Sequence, residues 1–138
     1  MVITFTNDIA TRGQGDVRDV TDAVAGALQA SGCAAGCITV FVVGSTAGVT
    51  TMEFEPGAVT DLKEVFDRLA PRHAHYHHHQ TWGDDNGSSH VRAALLGPSL
   101  TLPFADKRLL LGTWQQVVLV ECDTRPRNRQ LVVPVMGE

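Results

Sequence analysis

Nothing in this 138-residue sequence approaches the roughly 20 consecutive apolar residues that a membrane-spanning helix requires. The opening residues, MVITFTNDIATRG, also lack the basic and long apolar segments of a secretory signal, so a cytoplasmic protein with no membrane partner is expected. Basic residues are scarce: 11 Lys and Arg against 15 Asp and Glu leave a net charge of −4, which argues against a nucleic-acid partner, because such binding needs clustered cations to displace counterions. Cysteines number only three, Cys33, Cys37 and Cys122, and none has a zinc-knuckle or redox spacing. They read as reduced thiols in or near the core. Walker loops, G-x-S-x-G elbows, H-E-x-x-H helices and dinucleotide fingerprints are missing as well, which removes the commonest mononucleotide, serine-hydrolase, zincin and dehydrogenase readings.

What is present fits one folded domain. Hydrophobic residues make up 43% and charged residues 19%, far from the composition of a disordered chain. VITF predicts a short strand followed by a loop over TNDIATRGQGD. Val20, Val24, Ala27, Leu28 and Ser31 fall at helical spacing, so a helix over about 20–31 is expected, with Asp19 or Thr21 at its start and Gly32 closing it in the left-handed conformation. GCITVFVVG is a continuous β-branched run of strand length, expected near the centre of a sheet and covered on both faces. AGVTTMEFEPG alternates as a strand should, and puts Glu53 on the face of Val49. GAVTDLKEVFDRLAP returns to helical spacing until Pro71, and SSHVRAALLG predicts a helix capped by Ser88 or Ser89 and ended by Gly97. SLTLPF, RLLLG, WQQVVLVEC and QLVVPVM follow as strands, with a tight hairpin at ADK and a longer one at DTRPRNR, whose Arg125, Arg127 and Arg129 read as a solvated turn. This order makes the expected class α+β.

All six histidines fall in HAHYHHHQTWGDDNGSSH, residues 73–90. The cluster is internal and interrupted, unlike a terminal tag. If residues 74–80 are extended, His75, His77 and His79 project to one side and His78 to the other. His78 and His90 then suit a common metal, brought together as GDDNG folds back, with oxygen donors from Asp84, Asp85 and Asn86 nearby. The chemical alternative is acid/base work by Glu53, Asp84 and His90. The Gly- and Thr-rich bend at GSTAGVTT can cradle an anion with its backbone N–H groups or form a simple β-turn.

Taken together, STAGVTTME, Y-x-H-x-x-TWGDDNG, SHVRAALLGPSLTLPF and RLLLGTWQQVVLVE resemble the YjbQ family, also called secondary thiamine-phosphate synthase enzymes. The resemblance spans about residues 3–136, with LGTWQQ the most specific segment. It implies an α+β domain of two packed, mostly antiparallel sheets with two or three helices, assembled as a homotrimer. It also implies catalytic roles for Glu53, Asp84, Asn86, His90 and Gln115, cofactor binding by Ser45, Thr46, Thr113 and Trp114, and a metal on His78 and His90. Two departures stand out: Gly44 and Ser88 occupy positions where many relatives carry histidine, and each removes a ligand.

The function this resemblance implies is a transferase that joins a pyrimidine diphosphate to a thiazole phosphate and releases pyrophosphate. Its substrate is a small phosphorylated molecule, and a divalent cation, zinc or magnesium, would stabilise the leaving group. The competing expectations are a trimeric metal- or small-ligand-binding protein without catalysis, and a structural trimer whose histidines form a wet rim.

Overall fold

The computed structural model describes all 138 residues. The elements run β1 (Val2–Ala10), β2 (Val17–Asp19), α1 (Thr21–Ser31), β3 (Gly36–Val42), β4 (Ala47–Met52), α2 (Pro56–Leu69), α3 (His77–Trp82), α4 (Gly87–Leu96), β5 (Ser99–Ala105), β6 (Arg108–Leu109), β7 (Gln116–Glu121) and β8 (Asn128–Gly137). The class is α+β, as expected, with four helices in place of two or three. All strand pairs are antiparallel, in one sheet ordered β1-β8-β3-β5-β6 and a smaller one ordered β2-β7-β4.

The small sheet is the middle layer. On β7, Val117 and Leu119 join α1 and the inner face of the large sheet in a core of 17 buried residues that includes Leu28, Ile38, Val49, Leu131 and Val133. Val118 and Val120 point the other way into a second cluster with Val17, Ala93 and Cys122, against which Val59 and Leu62 of α2 and Leu96 of α4 pack. Each such fully buried Val or Leu contributes roughly 1.5–3 kcal/mol by leaving water. The strand covered on both faces is therefore β7. The expectation placed that role on β3, which is central by pairing but exposes Phe41 on its outer face.

Other boundaries moved for identifiable reasons. Residues Thr6 to Ala10 continue β1, because their backbone pairs with Leu131 and its neighbours on β8, which overrides the weak strand propensity of Asn7 and Asp8. α1 ends on Gly32 at φ 74°, as its sequence predicted, and Asp19 Oδ1 accepts from both the N–H and the hydroxyl of Thr21 at its start. The hairpin at ADK puts both Asp106 and Lys107 at positive φ, the signature of a type I′ turn. DTRPRNR is not a hairpin at all: it carries the chain from β7 in the small sheet to β8 in the large one. Residues 77–82 form helix α3, so the strand alternation expected for the histidines does not apply.

Candidate functional site

The loops at the Glu121 end of the small sheet gather the titratable side chains. α3 opens after extended Tyr76, turns His78 inward, and stops at Gly83 in the left-handed conformation. α4 starts at Gly87, where a Cβ would stand 2.5 Å from Cβ of Tyr76, so only glycine lets the two helices approach this closely. His78 and His90 thereby come into contact, with ring centroids 4.3 Å apart and the rings tilted by 49°. His78 and His79 both turn toward α4 and are half-buried, so the strand alternation that set His79 apart with His75 and His77 does not hold.

His78 Nε2 lies 3.2 Å from Asp84 Oδ1. Asn86, with its amide nitrogen turned to the carboxylate, donates to Asp84 Oδ1 at 2.9 Å. That nitrogen is also 3.1 Å from His78 Nε2, but one ring nitrogen cannot accept there while donating its proton to Asp84, so the carboxylate takes both donors. Burial, followed by the neighbouring His78, holds the His90 imidazole below its ordinary pKa, against smaller opposing pulls from Asp84 and Asp123. At neutral pH His90 is uncharged and free to accept a proton.

Beside His90 opens a cleft of about 330 Å³, walled by Gly44 and Ser45 from the bend before β4, by Ala93 and Ala94 of α4, and by Pro98. Behind the bend lies a buried network that ties the two sheets together. Glu121 of β7 accepts from Arg129 Nε (2.8 Å) and Nη2 (2.5 Å) of β8, from the Thr11 hydroxyl (2.7 Å) and from the Asp123 N–H (3.0 Å). The Thr46 hydroxyl accepts from Arg129 Nη2 and donates to Asp123, and Arg127 closes on Asp123 at 2.6 Å. Burial alone would raise the Asp123 carboxyl, but Arg127 outweighs it and holds the group below the usual carboxylate range. Cys122, beneath this network, has its thiol pushed up to about 12 by burial and by Glu121.

Of the residues singled out in the sequence, Ser45, Thr46, His78, Asp84, Asn86 and His90 meet here. Glu53, Thr113, Trp114 and Gln115 do not: Met52 faces Gln116 at one end of the β4–β7 ladder and Ala47 faces Glu121 at the other, a separation of roughly 16–17 Å. There Glu53 is exposed without an ion pair, Trp114 is 70% exposed, and Gln115 bonds to Thr51 Oγ1 and the Gly112 N–H. Arg129, expected in a solvated turn, is 6% exposed, and the site's Glu121 and Asp123 went unnoticed. One signal was available: a carboxylate closing the apolar run VVLVE must be partnered if buried.

The metal expectation for His78 and His90 is corrected. No three His, Cys, Asp or Glu side chains converge as ligands. His78 Nε2 is turned to Asp84, His79 Nε2 accepts from the Gly87 N–H, and Gly44 and Ser88 supply no imidazole.

Fold and site together define a class: a two-sheet α+β protein with a cleft bordered by His90 in the loops at one end of its inner sheet. The chain belongs to the UPF0047 family, since the YjbQ-like model of that family matches residues 6–138. A UPF0047 protein of Methanothermobacter thermautotrophicus is 38% identical over 120 residues, covering 87% of this chain and 82% of that one. A second, from Synechocystis sp., is 37% identical over 131 residues, covering 94% and 88%. Among solved structures, a hypothetical protein from Aeropyrum pernix superimposes with a TM-score of 0.90 at 32% identity, covering 99% of both chains. A YbjQ-like protein of unknown function from Sulfolobus solfataricus gives 0.89 at 28%, covering all of both. These relatives carry the family name and no reaction. With no metal-ligating group to hold a departing pyrophosphate, the expectation of a thiamine-phosphate synthase-type transferase is overturned.

Proposed function

We propose that the chain binds a small polar molecule in the cleft beside His90 and moves a proton to or from it. The observation that carries this reading is the placement of a neutral, half-buried His90 against a second imidazole held by a carboxylate, at the wall of an open cleft. In this reading His90 takes the proton from the ligand and becomes imidazolium. Asp84 fixes the His78 ring and, with its negative charge nearby, steadies the cation that forms on His90; Asn86 in turn orients Asp84. A base below the ordinary histidine pKa stays competent through the whole neutral range.

The chain is read, in the same proposal, as a cytoplasmic homotrimer. No helix is long and apolar enough to cross a membrane. The outward face of the large sheet, with Thr4, Cys37, Thr39, Phe41, Val132 and Pro134, has no covering helix and is charged only toward its rim, at Asp8 and Arg108, which favours burial of its centre against other copies. Light scattering should give three times the 14.8 kDa chain mass; a monomer at micromolar concentration rules the assembly out.

A probe of the chemistry is hydrolysis of p-nitrophenyl acetate, which neutral imidazoles promote. Wild type should exceed His90→Gln over pH 5.5–8, with the difference persisting below pH 6.5, where an ordinary imidazole protonates. Equal rates for the two proteins at every pH would remove His90 from the reading.

A further inference from the structure

The Arg129 guanidinium spends Nε and Nη2 on Glu121 and Thr46, but Nη1 donates to no protein acceptor and is not sealed from solvent. A buried arginine with a spare N–H pair is unusual, because each unmet donor forfeits a charge-assisted hydrogen bond. The spare nitrogen stands behind Gly44, where a Cβ would lie 2.8 Å from Nη1. Gly44 also has φ +128°, a conformation that side chains resist, so the absence of a side chain at this point of the cleft wall is required twice over. The hydroxyl-bearing Ser45 is the next residue along that wall.

We propose that Arg129 Nη1, reached past Gly44, is the anion-recognition donor of the cleft, so that the ligand carries a carboxylate or phosphate oxygen. The nearby acids do not oppose it. Glu121 is neutralised by Arg129 itself, Asp123 by Arg127, and Asp84 is turned to His78. Because Glu121 fixes the guanidinium in place, Nη1 needs no reorganisation to accept an anion, and preorganised donors are the effective ones. A cationic or purely apolar ligand would leave Nη1 unmet. The inference shares its cleft with the acid/base reading above and names the substrate class for it, but it rests on a different residue.

The test uses inorganic phosphate and sodium malonate as separate probes, each against sodium chloride of equal ionic strength, with the Arg129 Nε–Hε NMR signal and the thermal midpoint followed together. At tenfold Kd the midpoint should rise by about 5 °C, and the signal should shift saturably with at least one probe and not with chloride. Whichever anion binds assigns the headgroup. Gly44→Ala, which puts a methyl group against Nη1, and Ser45→Asp, which adds a negative charge at an exposed position, should each weaken binding at least about tenfold. Ser45→Asp keeps the test valid if strain at position 44 unfolds the first variant. Loss of the anion response with a His90-dependent esterase rate intact overturns this inference alone, whereas a saturable anion response with equal esterase rates for wild type and His90→Gln overturns the acid/base reading alone. Overturning results are no saturable response to either anion, or a Ser45→Asp affinity equal to wild type.

Discussion

Replacing Glu121 with Gln is the sharpest perturbation of the scaffold that carries this site. The side chain keeps its shape and can still accept from Thr11, but the negative charge is gone and Arg129, 6% exposed, is left without its counter-ion. Breaking a buried pair from one side costs about 3–5 kcal/mol, because the remaining ion, which reaches water through Nη1 alone, loses its compensating charge. A domain of this size holds roughly 5–15 kcal/mol in all, so the loss is a large fraction of the whole and should lower the thermal midpoint by about 10–20 °C. Urea unfolding followed by circular dichroism measures it, with the slope unchanged if the unfolded state is unaffected. The double variant Glu121→Leu, Arg129→Met removes both charges and should recover much of the deficit, because the Thr11 hydroxyl keeps Arg127 and the Thr46 hydroxyl keeps Asp123; the Asp123 N–H, left without its acceptor, retains about 1–3 kcal/mol of it. A single-variant loss below about 1 kcal/mol would refute the reasoning, since it would mean that water already reaches the pair.

Two further predictions concern protons and thiols. His90 is held below its ordinary pKa, so as pH falls below about 6.5 the unfolded chain takes up a proton that the folded one refuses, and stability declines between that pH and the lower folded value. Asp123 adds a second acid limb: its stabilisation is present above about pH 3.9 and is lost as pH falls through its lower folded pKa. Midpoints from pH 8 to 3 should therefore fall in two stages, and His90→Gln should flatten only the upper one. Among the cysteines, Cys37 is partly exposed on the outer sheet face, whereas Cys33 and Cys122 are each 1% exposed and the Cys122 thiol is raised to about 12. Alkylation of the folded protein at pH 8 should leave Cys33 and Cys122 unlabelled, and mass mapping that finds Cys122 labelled as fast as in the unfolded chain would contradict the burial of the inner cluster.

Much of this molecule was legible in its sequence, and the failures share a cause. Helices α1, α2 and α4 announced themselves because their apolar positions recur at helical spacing and their ends carry Gly32, Pro71 and Gly97. Elements whose identity depends on a distant partner did not. The second half of β1 is a strand because β8 lies beside it, and β3 and β7 have similar apolar runs although only β7 is covered on both faces. The histidine segment has few apolar residues, so neither period is imprinted on it, and its helical turn comes from contacts of Tyr76 with Gly87 and of His79 with the Gly87 N–H. Family motifs did find His78, Asp84, Asn86 and His90 as neighbours. They also joined Glu53 and Gln115 to that group, which the length of β4 and β7 keeps apart within one chain.

The central claim is that His90 is an uncharged proton acceptor whose state is set first by burial and then by His78 and Asp84, and histidine carbon–proton NMR titration tests it most directly. Wild-type His90 should titrate below the ordinary 6.5; His78→Gln, which removes the neighbouring ring and its repulsion, should raise that value, and Asp84→Asn, which removes an attractive charge, should lower it further. A His90 that titrates at the ordinary value in all three proteins would contradict the account.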